Sequence, residues 1–252
     1  MEQLVARRAH NPKVVGSSPA AATMTLKSKS LLNFQKTFFM PIPMKTYYSQ
    51  RAKEYESVYD KPERQADLQH LKQLLEKAFP AQNILELACG TGYWTSILAQ
   101  SAKSIQAIDY SVSVMEVARS KDYGNCQIQF SEQDFWSFDS TSIYDGLFGG
   151  FIYSHIDKQR LEEWKNLILS WVKPRGSIIF LDNKFVEGSN TPINRTDEDG
   201  NTFQLRSLKN GNQYEVLKNF STEAEFKKIW EPNLQNIQWI ELDYYWLAVL
   251  SC

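Results

Sequence analysis

Apolar positions along this chain change period repeatedly. From Tyr47 onward, stretches with an apolar residue every three or four positions alternate with short runs that are apolar throughout. Lys61–Phe79 has Leu68, Leu71, Leu74 and Leu75 on one stripe and is closed by Pro80, which predicts an amphipathic helix. The pattern then predicts a strand at Asn83–Leu87, a helix at Thr91–Ser101, a strand at Ser104–Asp109, a helix at Val112–Lys121 and strands at Cys126–Phe130 and Tyr144–Tyr153. Asp157–Val172 places Leu161, Trp164, Ile168 and Trp171 on one helical face, and Gly176–Asp182 is a further strand. The inner strands are apolar on both faces, as a parallel sheet covered by helices requires. Thr222–Trp230 is helical, whereas Ile237–Leu242 and Tyr244–Leu250 follow one another with almost no connection and must pair antiparallel. The expected fold is α/β: a doubly wound, seven-stranded, mostly parallel sheet with a C-terminal antiparallel hairpin.

Two segments depart from this alternation. Residues 184–221 separate the fifth strand from the last helix, and Thr202–Leu208 and Gln213–Leu217 alternate between turn sequences, so a small β-flap over the site is expected there, with a dimerisation arm as the alternative. Arg195 and Arg206 on that flap suit an anionic ligand. Residues 1–43 carry six Lys/Arg against one acid, a local charge of +5 that leaves −6 for residues 44–252 of the total of −1. An organellar transit peptide is one reading, but Asn11-Pro12, Gly16 and Pro19 interrupt the amphipathic helix it needs. The string from Ala6 to Pro19 is similar to the conceptual translation of a transfer-RNA gene, so the start is expected at Met24, Met40 or Met44, with residues 1–43 disordered and the domain at 44–252.

Composition narrows the function classes. The chain has 252 residues, 42% of them hydrophobic, with 28 Lys/Arg against 29 Asp/Glu, so no global basic field favours nucleic acid or a membrane surface. Three scattered cysteines, Cys89, Cys126 and Cys252, make neither a disulfide framework nor a metal knot. No apolar run approaches the roughly 20 residues that span a bilayer. A cytoplasmic protein without nucleic-acid or membrane partner is expected.

The chemistry gathers at the carboxyl ends of the first three strands, where doubly wound sheets bind ligands. Glu86-Leu87-Ala88-Cys89-Gly90-Thr91-Gly92 runs from strand to helix, and Gly90 and Gly92 let backbone approach a ligand closely. Asp109, followed by Tyr110, ends the next strand 19 residues after Gly90, where a carboxylate accepts from a ribose diol. Asp134 ends the third strand and is followed by Phe135 and Trp136, an acceptor with two ring faces beside a purine. A plain tight turn, a capping acid and ordinary core rings are the alternatives for these three features. The third glycine of a dinucleotide loop is absent, since Thr95 stands there, and no phosphate-binding GKS or GKT sequence occurs.

These motifs resemble class I (Rossmann-like) S-adenosylmethionine-dependent methyltransferases. Glu86–Gly92 resembles their first motif with Ala88 in place of a glycine, Asp109 the ribose-binding acid, and Gln133-Asp134-Phe135 the adenine-contacting segment. Tyr47–Tyr55 resembles the capping helix of the small-molecule, quinone-methylating type, which implies that Tyr48 and Arg51 close over the cofactor. The resemblance implies S-adenosylmethionine as cofactor, a small-molecule methyl acceptor and a monomer or homodimer. His155, at the end of the fourth strand, is the expected general base. Asp182-Asn183 resembles two metal ligands of catechol-type enzymes, but Ser154 stands where the third would be, and no metal is expected. A nicotinamide-dependent oxidoreductase and a catalytically idle cofactor-binding scaffold are the competing functions.

Overall fold

In the computed structural model the described residues are 42–139, 143–234 and 236–252; the segment before Ile42, with the candidate starts Met24 and Met40, lies outside them. The chain opens with α1 (Ile42–Arg51), which passes through a 3-10 segment, Ala52–Tyr59, toward α2 (Gln65–Leu75). Then follow β1 (Asn83–Leu87), α3 (Tyr93–Leu98), β2 (Ser104–Asp109), α4 (Val112–Arg119), β3 (Gln127–Glu132), β4 (Tyr144–Gly150), α5 (Leu161–Trp171) and β5 (Val172–Asn183). After β5 come β6 (Ile193–Thr196), β7 (Thr202–Ser207), β8 (Gln213–Leu217), α6 (Glu223–Trp230), β9 (Asn236–Glu241) and β10 (Tyr245–Ser251).

The main sheet has seven strands in the order β3-β2-β1-β4-β5-β10-β9. β1 to β5 pair in parallel, and β10 lies antiparallel between β5 and β9, opposing Trp246 to Asp182 and Leu247 to Leu181. The strand order reverses between β1 and β4, so the crevice outside their carboxyl ends is where this topology binds a ligand. Helices bury stripes on both faces. Trp164, Ile168 and Trp171 of α5 pack with Phe180, Phe226, Trp230 and Trp246, while Leu68, Leu71 and Leu75 of α2 pack with Leu98, Phe148 and Leu247. Each such side chain contributes roughly 1.5–3 kcal/mol by leaving water, before chain entropy is counted. Thr222 and Glu225 close a reciprocal capping box at the start of α6.

Three boundaries differ from the sequence pattern for local reasons. β4 stops at Gly150 rather than Tyr153, because Phe151 takes a left-handed φ of 60° and turns the chain into a 3-10 segment at Tyr153–His155. β5 begins at Val172, directly after α5. Pro174 and Arg175, with φ 68°, are absorbed where the β4–β5 register shifts rather than breaking the strand. The segment after β5 makes its own three-stranded antiparallel sheet, β6-β7-β8. That sheet packs on α1, where the Tyr47 and Tyr214 rings lie 6.0 Å apart and Tyr214 donates to Gln50 at 3.2 Å.

Candidate active site

The turn from β1 into α3 is held in a conformation that side chains resist. Ala88, Gly90 and Gly92 have φ of 51°, 57° and 77°. At Gly92 an added Cβ would run into the Tyr123 hydroxyl and lie 3.0 Å from the Ala118 Cβ, so this glycine allows the turn to nest on α4. Asp109 ties the turn to β2: one carboxylate oxygen accepts the Gly90 N–H at 2.9 Å and the other accepts the Ser111 N–H at 2.9 Å. Burial raises its pKa to about 6 against those bonds. Glu86, inside β1, is raised further, to about 8, by burial with the Asp109 charge adding to it. One Glu86 carboxylate oxygen and the Tyr110 hydroxyl are buried without a partner, and orphaned polar atoms of this kind call for a ligand group or water.

Two cavities meet beside this turn. The narrow one, about 60 Å³, is floored by Ala88, Gly90, Asp109 and Tyr110 and covered by Tyr48 and Tyr55. The other, about 580 Å³, lies between α1, the Ala52–Tyr59 segment and the second sheet. Tyr48, Tyr55, Phe151 and His155 line both. The cover is latched to the turn: Thr91 donates to Glu56 at 2.7 Å, Glu56 pairs with Lys121, and the Ser49 and Ser111 hydroxyls lie 2.9 Å apart.

At the junction, His155 Nδ1 donates to the Leu217 carbonyl at 2.6 Å, which leaves Nε2 to accept from the Tyr48 hydroxyl at 3.0 Å. Tyr48 in turn accepts from Arg206 at 3.2 Å. Burial, with the Lys218 and Arg206 charges adding to it, lowers the His155 pKa to about 3. Both ring nitrogens are thus engaged, one on the second sheet and one on the Tyr48 hydroxyl of α1. Behind it, Asp182 accepts from Lys218 at 2.9 Å, from the Ser154 hydroxyl at 3.0 Å and from the Ser154 N–H at 2.9 Å. Burial alone would raise the Asp182 carboxyl, but the Lys218 ammonium outweighs it and holds the pKa below its ordinary value. The Lys218 ammonium thus neutralises Asp182, one of the two residues that the catechol-type resemblance picked out. Among the described residues no cluster of three or more His, Cys, Asp or Glu suits a metal.

The structure brings together Tyr48, Ala88, Gly90, Asp109, Tyr110 and His155 around the narrow cavity, with Glu86 in a recess beside Ala88 and Gly90. Arg51 lines the larger cavity instead and donates to the Tyr47 hydroxyl at 2.6 Å. Gly92, Asp134 and Phe135 line none of these spaces. Asp134 caps the Phe135–Ser137 segment through the Trp136 N–H at 2.9 Å, and Phe135 packs in the core with its ring 6.4 Å from that of Trp164. Arg195 is taken by Glu215 in a two-pronged pair at 2.8 and 2.6 Å on the outside of the flap, whereas Arg206 points inward. Three residues escaped the sequence reading: Phe151, Arg64 and Lys218. The first two lie in segments read as strand and helix, and Lys218 meets Ser154 across 64 residues, with no local pattern to announce either contact.

The floor of the narrow cavity suits a nucleoside-bearing cofactor. Each Asp109 oxygen keeps a lone pair for a ribose hydroxyl beyond its backbone bond, and the orphaned Glu86 oxygen suits a cationic group. Comparisons agree with this geometry. Residues 84–176 match the family model of a methyltransferase domain. A search of curated protein sequences gives no match. Among solved structures, DhpI in complex with SAH is similar with a TM-score of 0.66 at 23% identity, over 82% of this chain and 94% of that one. The N-methyltransferase NodS from Bradyrhizobium japonicum WM9, in complex with S-adenosyl-L-homocysteine, is similar with a TM-score of 0.56 at 13% identity, over 83% and 98%. An S-adenosylmethionine-dependent methyltransferase from Clostridium acetobutylicum ATCC 824 has a TM-score of 0.55 at 17% identity, over 81% and 98%. At these identities the likeness is one of fold.

Proposed function

We propose that this chain, which matches a methyltransferase domain over residues 84–176 and has the fold of S-adenosylmethionine-dependent enzymes, transfers a methyl group from S-adenosylmethionine to an O, N or C nucleophile of a small molecule. The observation that carries this reading is the meeting of two cavities at Tyr48, Tyr55, Phe151 and His155. A cofactor on the Asp109 side would there face an acceptor on the other. When bound, the cofactor supplies an electrophilic methyl on a sulfonium, and the displacement asks the protein mainly for alignment and exclusion of water.

Each side chain then has a task. Asp109 accepts the ribose hydroxyls, Ala88 and Gly90 let backbone lie against the cofactor, and Glu86 offers its buried carboxyl to the cofactor's ammonium. Tyr48 and Tyr55 close the cover, and because about 60 Å³ is too small for a nucleoside they must shift to admit it. Before the cofactor enters, Tyr48 is held between Arg206 and His155 at the junction of the two chambers, with its hydroxyl proton directed at His155. Phe151, held at a left-handed φ that bulky residues rarely adopt, forms the wall between the chambers.

No helix among the described residues is long and apolar enough to cross a membrane. With charges balanced over the chain, we read the protein as a cytoplasmic monomer or homodimer without a nucleic-acid partner. The cofactor reading is tested by heat denaturation. S-adenosylhomocysteine is expected to raise the midpoint, since a ligand of the folded state alone stabilises it by mass action, and NAD is not. Stabilisation by NAD with none by S-adenosylhomocysteine would turn the assignment toward an oxidoreductase.

A further inference from the structure

Several cations on the outside of this protein are matched by acids. Arg160 pairs with Glu163, Lys173 with Asp145, Lys184 with Glu241, Arg195 with Glu215 and Lys227 with Glu223, each at 3.0 Å or less. The large cavity breaks that habit. Arg51 donates to the Tyr47 hydroxyl at 2.6 Å. Arg64, itself only 5% exposed, donates to the Ser189 hydroxyl at 3.1 and 2.9 Å and to the Asn183 amide oxygen at 3.2 Å. Arg206 donates to the Gln204 amide oxygen at 3.2 and 2.8 Å and to Tyr48 at 3.2 Å. Every hydrogen-bond partner of these three guanidiniums is neutral, and among the described residues no carboxylate lies within ion-pair reach of them; Glu63 reaches Arg64 only through the shared Ser189 hydroxyl, which donates to it at 2.8 Å. Three lysines line the cavity as well: Lys218 is matched by Asp182, Lys209 by Glu54, and Lys61 donates to the Ser189 carbonyl. The one acid lining the cavity, Glu54, is matched by Lys209 at 2.8 Å.

Guanidiniums withdrawn from bulk water without a directly bonded counter-charge are costly, and that cost falls when a ligand brings negative charge into contact. Neutral amide and hydroxyl oxygens fix the forks in place while leaving their charge uncancelled, the preorganised arrangement that takes a planar or tetrahedral oxyanion through paired N–H donors. With a balanced chain overall, the field responsible is local to this chamber. Resting on the methyl-transfer reading, we propose that the acceptor carries an oxyanion, of the carboxylate or phosphate class, and that Arg64 and Arg206 hold it. Arg206 reaches the Tyr48 hydroxyl at the junction of the two chambers, and Arg64 lies against Tyr244 and Tyr245, its guanidinium 5.3 and 5.4 Å from their ring centres. A neutral molecule of the same size would leave the chamber's charge unanswered.

The test uses the full chain saturated with S-adenosylhomocysteine, with inorganic phosphate, malonate, the neutral malonamide and sodium chloride at matched ionic strength as probes. Phosphate or malonate is expected to raise the unfolding midpoint further, while malonamide and chloride do not. The stronger of the two anions identifies the class. Arg64→Gln and Arg206→Gln should each weaken that anion by about tenfold, and Arg195→Gln, outside the cavity and already paired, should leave it unchanged. Stabilisation by S-adenosylhomocysteine in each variant verifies that it is folded. If the cofactor product stabilises and neither anion does, or if Arg195→Gln weakens the anion as much as the cavity variants do, the oxyanion proposal is overturned and the methyltransferase reading stands. If the cofactor product itself fails to stabilise the wild-type chain, it is that earlier reading that falls.

Discussion

Replacing Glu86 with glutamine isolates a charge that the fold holds back. Glu86 is 2% exposed, with one oxygen orphaned and a pKa raised to about 8. In the unfolded chain the same carboxyl sheds its proton near the ordinary 4.5. Between those values the folded protein binds more protons than the unfolded one, so stability falls as pH rises from about 4.5 to about 8, and above 8 this group contributes no further slope. The slope cannot exceed about 1.4 kcal/mol per pH unit, which over that window amounts to on the order of 4 kcal/mol. Asp109 acts with the same sign between 3.8 and about 6. Glutamine keeps the shape and removes only the Glu86 contribution. Urea unfolding of the ligand-free protein across the window should therefore show wild type and Glu86→Gln alike at the acidic end, with the wild type progressively weaker toward pH 8. Parallel curves would mean that Glu86 ionises in the folded state as it does in water, and the account of a withheld charge at the cofactor recess would be wrong.

The other predictions follow from single contacts. Asp109→Ala orphans the Gly90 and Ser111 N–H groups as well as the ribose partner, so it should lose about 2–4 kcal/mol of ligand-free stability and on the order of 2 kcal/mol of S-adenosylhomocysteine affinity by calorimetry; affinity lost without any loss of stability would contradict the double role. His155→Ala frees Tyr48 and should lower turnover by about tenfold with the pH profile between about 6 and 8 unchanged, whereas a titration lost from that profile would restore the imidazole as a base. Ala88→Gly relieves a left-handed residue and should raise the unfolding midpoint slightly, since the conformation costs of the order of 1 kcal/mol in any side-chain-bearing residue; a lowered midpoint would place the strain elsewhere. Lys218→Met leaves Asp182 a buried unpaired carboxylate and should destabilise the fold by about 3–5 kcal/mol in denaturant titration, and a near-neutral effect would mean that water already shares the pair.

What the sequence made legible was whatever is local. Strand β1 and the turn after it announce themselves through five consecutive strand residues and two glycines, and Asp109 follows at a spacing set by one helix and one strand. Phe135 misled because an aromatic ring beside a nucleotide and one in a core have the same sequence signature, and only the Trp164 contact separates them. Strand β6 was illegible because all four of its residues are exposed, so no alternation marks it. The acceptor chamber was hardest to read. Arg64, Arg206 and Lys218 come from a 3-10 turn, β7 and the end of the second sheet, and nothing periodic in the chain signals that their charges converge. His155 was located by its place after β4, but its role depended on Tyr48 and Leu217, 107 and 62 residues away.

The path from Arg206 through Tyr48 and His155 to the Leu217 carbonyl begins and ends on the second sheet, crossing α1 and the end of β4 on the way. Such a circuit ties the cover of one chamber to the wall of the other. Tyr48 cannot leave the cofactor side without releasing Arg206 and His155, and the second sheet cannot lift without releasing the same tyrosine. Opening toward either chamber breaks the same pair of Tyr48 hydrogen bonds, so on the proposed function the two exchanges are coupled.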